Sequence, residues 1–338
     1  MTDLAELLVA PLDSARGALL RRVARLAPRI AVGRSERAAV LASVLVVAGL
    51  CAALLVPLWM VALAPLLWGV PHVLSDLRYL VARPGLHRRA ALLPAAGLVV
   101  AAGLGFGALG ACLAAVTAAL VARGAWGRRL AVAAVGAALA GGCVLLGRRT
   151  SDALFLHAHN AIGVALYVAM RRPGSRATLL PLALAVAVAL ALGLGAFDGW
   201  LASAASITAP FGDVDFAYAR WLLAPDVGPA AATRLVVLFA FAQAVHYAVW
   251  LRLVPEDARR SATPRSFRQS VRALRRDLGP FVLGASALVA VGLLAFAFVS
   301  VRSAREAYLW SAFFHAPLEV AAAALFAVEG RRFADAPT

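Results

Sequence analysis

Long runs of apolar residues, each cut by a charged residue, a proline or a glycine, follow one another from position 38 to position 328. A helix crosses the hydrocarbon core of a bilayer with about 20 apolar residues, and cutting the runs at those breaks predicts ten helices. They cover 38–55, 58–82, 90–106, 108–123, 129–147, 151–171, 178–196, 231–252, 279–301 and 305–328. Two of the cuts, at Val56-Pro57 and at Phe106-Gly107, fall inside otherwise continuous apolar sequence; without them the count drops to eight or nine. The pattern therefore predicts an all-α, polytopic membrane bundle of about ten spanning helices. Residues 1–37 read as an N-terminal interfacial segment, 38–328 as the transmembrane domain and 329–338 as a tail. The chain shows no strong internal repeat and no stretch long enough to fold as a separate soluble domain.

Composition agrees: 63% of residues are hydrophobic, 15% are charged, and the mean hydropathy is +0.84, outside the range of soluble chains. Charge adds an orientation, because arginine collects in cytoplasmic loops. Arg83, Arg88 and Arg89, then Arg123, Arg128 and Arg129, then Arg171, Arg172 and Arg176 fall in alternate connections. With Arg16, Arg21, Arg22, Arg25, Arg29, Arg34 and Arg37, the basic loop 253–278 and the Arg331-Arg332 tail, they share one side. The opposite loop, 197–230, sets Asp198, Asp213, Asp215 and Asp226 against a single Arg220. Both termini are expected in the cytoplasm, although two short outer turns, Arg148-Arg149 and Arg302 with Arg305, run against the trend. The chain contains no lysine, and its Arg, Ala, Gly and Val bias resembles high-GC bacterial coding. A bacterial inner (cytoplasmic) membrane is the expected location.

The net charge of +16 does not indicate a nucleic-acid partner, because the arginines lie between hydrophobic spans and not on one compact face. Anionic lipid headgroups explain them better, and residues 4–32 and 262–278 have the spacing of interfacial helices. The first thirty residues lack the continuous apolar core of a cleavable signal peptide. Without lysine, a retinal Schiff base or a lysine nucleophile is excluded. Cys51, Cys112 and Cys143 lie in predicted spans with no CxxC motif and read as packing residues.

Histidine is the chemically informative residue. His72, the pair His157 and His159, His246 and His315 each stand near the middle of a predicted span, and ionisable groups at membrane depth usually face the bundle interior and mark a site. The four spans run in the same direction in the predicted topology, and their histidines spread over roughly 10 Å about the midplane at 1.5 Å rise per residue. Asp76 follows His72, and Glu319 follows His315, at helical i,i+4 spacing. Either carboxylate can accept the second imidazole N–H of its histidine, be a metal ligand itself or, for Asp76, pair with Arg78. His157 and His159 point about 200° apart on a helix, so only one faces a common centre; His159, beside Asn160, is preferred for its depth. His246 is followed by Tyr247, which reads either as the lining of a substrate channel or as an interface anchor. His87 belongs to a basic loop. Pro65, Pro71 and Pro317 are expected to kink the helices around His72 and His315.

The stretch Gly69-Val70-Pro71-His72-Val73-Leu74-Ser75-Asp76 and the order of the later histidines resemble the Brp/Blh family of membrane β-carotene 15,15′-dioxygenases. That resemblance implies non-haem iron, Fe(2+), held by histidines, here His72, His159, His246 and His315, and cleavage of a carotenoid by dioxygen. Asp76, Glu319 and Tyr247 are then the polar residues expected to support the chemistry. The chemistry of the residues themselves is broader: three or four neutral imidazoles suit zinc, copper, iron or nickel, and a midplane site favours a lipophilic substrate drawn from the bilayer. The clustered histidine motifs of membrane desaturases and the DDxxD signature of prenyl transferases are missing. Two other classes remain open at this stage. One is a carrier, haem-binding or proton-relay protein using the buried His, Asp and Glu residues; the other is an assembly protein whose buried polar residues specify helix packing.

Overall fold

The computed structural model describes residues 7, 9–26, 33–171, 176–259, 261 and 263–330. Expectations placed on Arg29, Arg172, Arg260, Arg331 and Arg332 lie outside those residues, as does most of the tail. Every named element among the described residues is helical, with one isolated bridge between Phe211 and Val214.

Among the described residues, eight helical stretches are long and apolar enough to cross a membrane. The cut at Val56-Pro57 is present: α2 (Arg34–Leu55) ends, and α3 (Pro57–Ala82) begins on a proline whose missing N–H is harmless in the first turn. The stretch Ala90–Val121 is a hairpin, not one rod. Gly105 takes φ 148° and Gly107 φ 52°, conformations open to glycine and costly for other residues. The chain therefore turns back, and α4 (Leu93–Ala101) packs along α5 (Gly107–Val121). The backbones nearly touch, since a Cβ on Gly110 would lie 2.7 Å from the Ala102 Cα. Both cuts in the apolar sequence are thus present, and with the short apolar helix Leu179–Gly193 each of the ten predicted segments has a helical counterpart, the last one in two pieces.

The remaining long elements are α6 (Trp126–Leu146), α7 (Arg148–Met170), α8 (Leu179–Gly193), α11 (Pro229–Asp257) and α13 (Pro280–Ala297). The last apolar segment is broken at Ala312–Phe314 into α14 (Val301–Ser311) and α15 (His315–Glu329). Small residues let helices approach closely: Ala114, Ala115, Ala118 and Ala119 of α5 share one buried cluster with Ala321, Ala322 and Ala324 of α15.

Outside the spans, α1 (Ala10–Leu26) and α12 (Phe267–Leu278) meet each other. Asp13 accepts hydrogen bonds from the Phe267 and Arg268 backbone N–H groups at 2.5 and 3.2 Å, placing a negative charge at the positive end of α12. Ser266 and Gln269 cap the same end reciprocally. The long acidic loop carries two short helices, α9 (Asp198–Ser203) and α10 (Phe216–Leu223). Arg305, which ran against the topology trend, is a buried structural residue: it donates to the Val61 carbonyl at 2.9 Å and to the Tyr218 hydroxyl at 2.8 Å.

Candidate metal centre

Four helices bring their polar residues to one point. α3 supplies His72 and Asp76, α7 supplies His159, α11 supplies His246, and α15 supplies Glu319 with His315 at its first position. The backbone is locally underwound around them. α3 has wide, i→i+5 bonded turns at Pro65–Gly69 and Leu77–Ala82, on either side of His72, and α11 has one at Val249–Leu253, just after His246. Pro65 opens the first of these, where it cannot donate the ordinary helical bond. Such turns rotate the following side chains relative to a straight helix and are frequent at functional sites.

The donors are close and dry. His72 Nε2 is 3.0 Å from His246 Nε2, and both face Glu319 Oε1, at 3.9 and 3.5 Å. His159 Nδ1 is 3.2 Å from Glu319 Oε2. Donor atoms of His72, His159, His246 and Glu319 all lie within 4.8 Å of one another, and all four residues are buried. Donors held at about 2.1 Å by one ion stand roughly 3 to 4.2 Å apart; the four donor distances, 3.0 to 3.9 Å, lie in that range, and the 4.8 Å limit for the whole set is slightly wider. Asp76 Oδ2 is 3.4 Å from the same His72 Nε2. It therefore lies on the donor side of the ring, not behind it against Nδ1.

Electrostatics point the same way. Asp76 and Glu319 are completely buried, and none of their four carboxylate oxygens makes a hydrogen bond of ordinary geometry among the described residues. Buried carboxylates are costly unless paired or metal-bound. The nearest candidate in sequence, Arg78, is engaged elsewhere, with Asp277 at 2.7 Å. The Nδ1 atom of His72 is likewise buried without a hydrogen bond among the described residues. A divalent cation held between these donors would neutralise both carboxylates.

The surrounding residues show how the packing selects the site. Gly163, one turn beyond His159 on α7, leaves the room that the His246 ring fills. Gly69 does the same for the Tyr308 ring. His157 turns away, its Nε2 2.9 Å from the Leu223 carbonyl of α10, so of the histidine pair it is His159 that faces the centre. His315 flanks the donors, with its ring centroid 4.9 Å from that of His159 and 5.4 Å from that of His72, while its Nδ1 lies 2.5 Å from the Ala312 carbonyl at the helix break. Glu319 therefore faces three imidazoles from other helices, not only the histidine one turn before it.

Tyr247 is buried, with its ring 5.3 Å from the His72 ring. It forms the inner wall of an apolar cavity of about 380 Å³ between α2, α3 and α11, lined also by Leu45, Ala48, Met60 and Trp68. Gly163 and Trp250 are the neighbours that sequence reasoning left without a role. Both stand four residues after a site histidine, on the same helix face. Comparison with protein-family models, with curated proteins and with solved structures yields no match.

Proposed function

We propose that this protein is a membrane-embedded, non-haem metal oxidoreductase in which His72, His159, His246 and Glu319 hold one redox-active ion, iron first among the candidates. The observation that carries the reading is the convergence of these four buried donors from four separate helices. Mixed imidazole and carboxylate donors suit iron used with dioxygen. Bound there, the metal would supply dioxygen activation.

The chain's own residues do the rest. His72 and His246 fix one edge of the donor set, Glu319 links it to His159, and the burial of all four excludes water from the reaction. The apolar cavity behind Tyr247 gives a lipophilic substrate a route that does not cross an aqueous face. The likeness of Gly69 to Asp76 to the carotenoid-cleaving motif makes a carotenoid the first substrate to try. Such a cleavage breaks one C=C bond and the O–O bond of dioxygen and forms two C=O bonds, so no external reductant is required.

Geometry argues against haem as the bound group. A carboxylate oxygen of Glu319 lies within 3.9 Å of both the His72 and the His246 Nε2 atoms, in the space that a porphyrin between two axial imidazoles would occupy. The test is elemental analysis and an optical spectrum of the full chain in detergent, repeated for His72→Ala and His246→Ala. The expected result is about one iron per chain with no Soret band, lost in both variants at unchanged helix content. A well-folded wild type that stays metal-free after anaerobic reconstitution would refute it.

A further inference from the structure

Two cavities adjoin at the arginine-rich end of the bundle, of about 440 and 480 Å³, within the size range of ligand pockets. They share Arg78, Arg259 and Arg265. The first takes six of its eleven lining residues from arginine, with Arg83, Arg272 and Arg276 added to the shared three. The second is apolar away from its mouth, running along Val70, Leu74, Leu251, Leu274 and Leu283 to Ala290 on α13. The helix α13 that forms its outer wall is itself largely exposed to the surroundings of the bundle.

Guanidinium groups crowd around these cavities. Asp277 is shared by Arg78 at 2.7 Å, Arg276 at 3.1 Å and Arg83 at 3.9 Å. Glu256 is shared by Arg259 at 2.8 Å, Arg37 at 3.1 Å and Arg252 at 3.8 Å. Six guanidinium groups thus meet at these two carboxylates among the described residues. Six also line the first cavity, and the guanidinium fork fits phosphate oxygens in pairs. Burial, and after it the neighbouring Arg78 guanidinium, lowers the pKa of Arg265, which an anion beside it would relieve.

We infer that the cleft between α3, α11, α12 and α13 binds a phosphate-bearing amphiphile, with its phosphate among Arg78, Arg265, Arg272 and Arg276 and its hydrocarbon chain along Leu74, Leu274 and Leu283. Trp250 also lines the chain cavity, with its ring centroid 6.0 Å from that of His72. A bound amphiphile would therefore lie against a residue that also neighbours the buried donors. The inference stands independently of what the metal centre does.

Native mass spectrometry of the full chain in detergent tests it, with dioleoylphosphatidylglycerol, dioleoylphosphatidylcholine and inorganic phosphate as separate titrants. Phosphatidylglycerol is expected to bind about ten-fold tighter than phosphatidylcholine, and the Arg265→Gln/Arg272→Gln pair to remove that advantage. The exposed pair Arg148→Gln/Arg149→Gln, at the opposite end of α7, should leave it intact. Ala287→Trp blocks the chain cavity without touching an arginine and should weaken phosphatidylglycerol binding at unchanged helix content. Equal binding of the two lipids, or equal loss in the Arg148/Arg149 control, would overturn the inference. Inorganic phosphate binding as tightly as phosphatidylglycerol, unaffected by Ala287→Trp, would show a soluble-phosphate site and overturn the amphiphile.

Discussion

Replacing Gly163 by alanine sets two effects of opposite sign against each other. Gly163 lies inside α7 (Arg148–Met170), where alanine is favoured over glycine by about 1 kcal/mol from helix propensity alone. The added Cβ, however, would stand 2.5 Å from His246 Nδ1, 2.6 Å from its Cε1 and 2.9 Å from Trp250 Nε1, whereas ordinary contact begins at 3.4 Å. His246 must therefore retreat by about 0.9 Å, the difference between 3.4 and 2.5 Å. Metal–donor distances tolerate about 0.2 Å, so the ring moves by several times what a coordination bond allows. Trp250 blocks part of the retreat, since it is fully buried beside the same glycine. Metal affinity should fall at least as far as when a residue supporting a ligand is removed, about 10- to 100-fold, while helix content stays unchanged. The assay is metal content of the purified full chain under a graded chelator, alongside circular dichroism. Gly141→Ala is the matched control, because that helical glycine has nothing within 4 Å of its Cβ position; it should keep its metal and melt slightly higher. Wild-type metal affinity in Gly163→Ala would refute the reasoning and remove His246 from the donor set.

Two further outcomes separate the site from its surroundings. His159→Ala should lose metal, whereas His157→Ala should retain it and lose only the contact with the Leu223 carbonyl; equal metal content in the two variants, measured by elemental analysis, would contradict the orientation of α7. At the arginine-rich end, burial would raise the Asp277 pKa, but the Arg78 and Arg276 guanidinium groups outweigh it and hold the carboxyl below its ordinary value. The contribution of Asp277 to stability is therefore complete above its unfolded pKa of about 3.9 and fades as pH falls through the lower folded value. Thermal unfolding of Asp277→Asn should lose that acid-side dependence while wild type shows it, and parallel pH profiles for the two proteins would rule it out.

Much of the architecture is legible along the chain because a bilayer imposes a one-dimensional rule: backbone polar groups must be satisfied within each crossing segment, so apolar length and its interruptions mark the helices. Pro57 and Gly107 disclose their breaks as residue types, the first by lacking an N–H and the second by tolerating a positive φ. The cost of imidazole in hydrocarbon similarly singles out the four histidine-bearing spans before any contact is known. What the chain could not disclose is which side chains meet. His157 and His159 are equivalent to any local rule, and only the packing of α7 between α10 and α15 turns one to a carbonyl and the other to Glu319. Glu319 looked like a partner for His315 because i,i+4 neighbours on one helix are visible in sequence, whereas its contacts with His72 and His246 cross between helices. Sharing of Asp277 by three arginines joins α3 and its following turn to α12 in the same way. Sequence determined the helices and their polar faces through short-range rules of burial and backbone bonding; tertiary packing alone decided the donor set, because the distances that define it run between residues far apart in the chain.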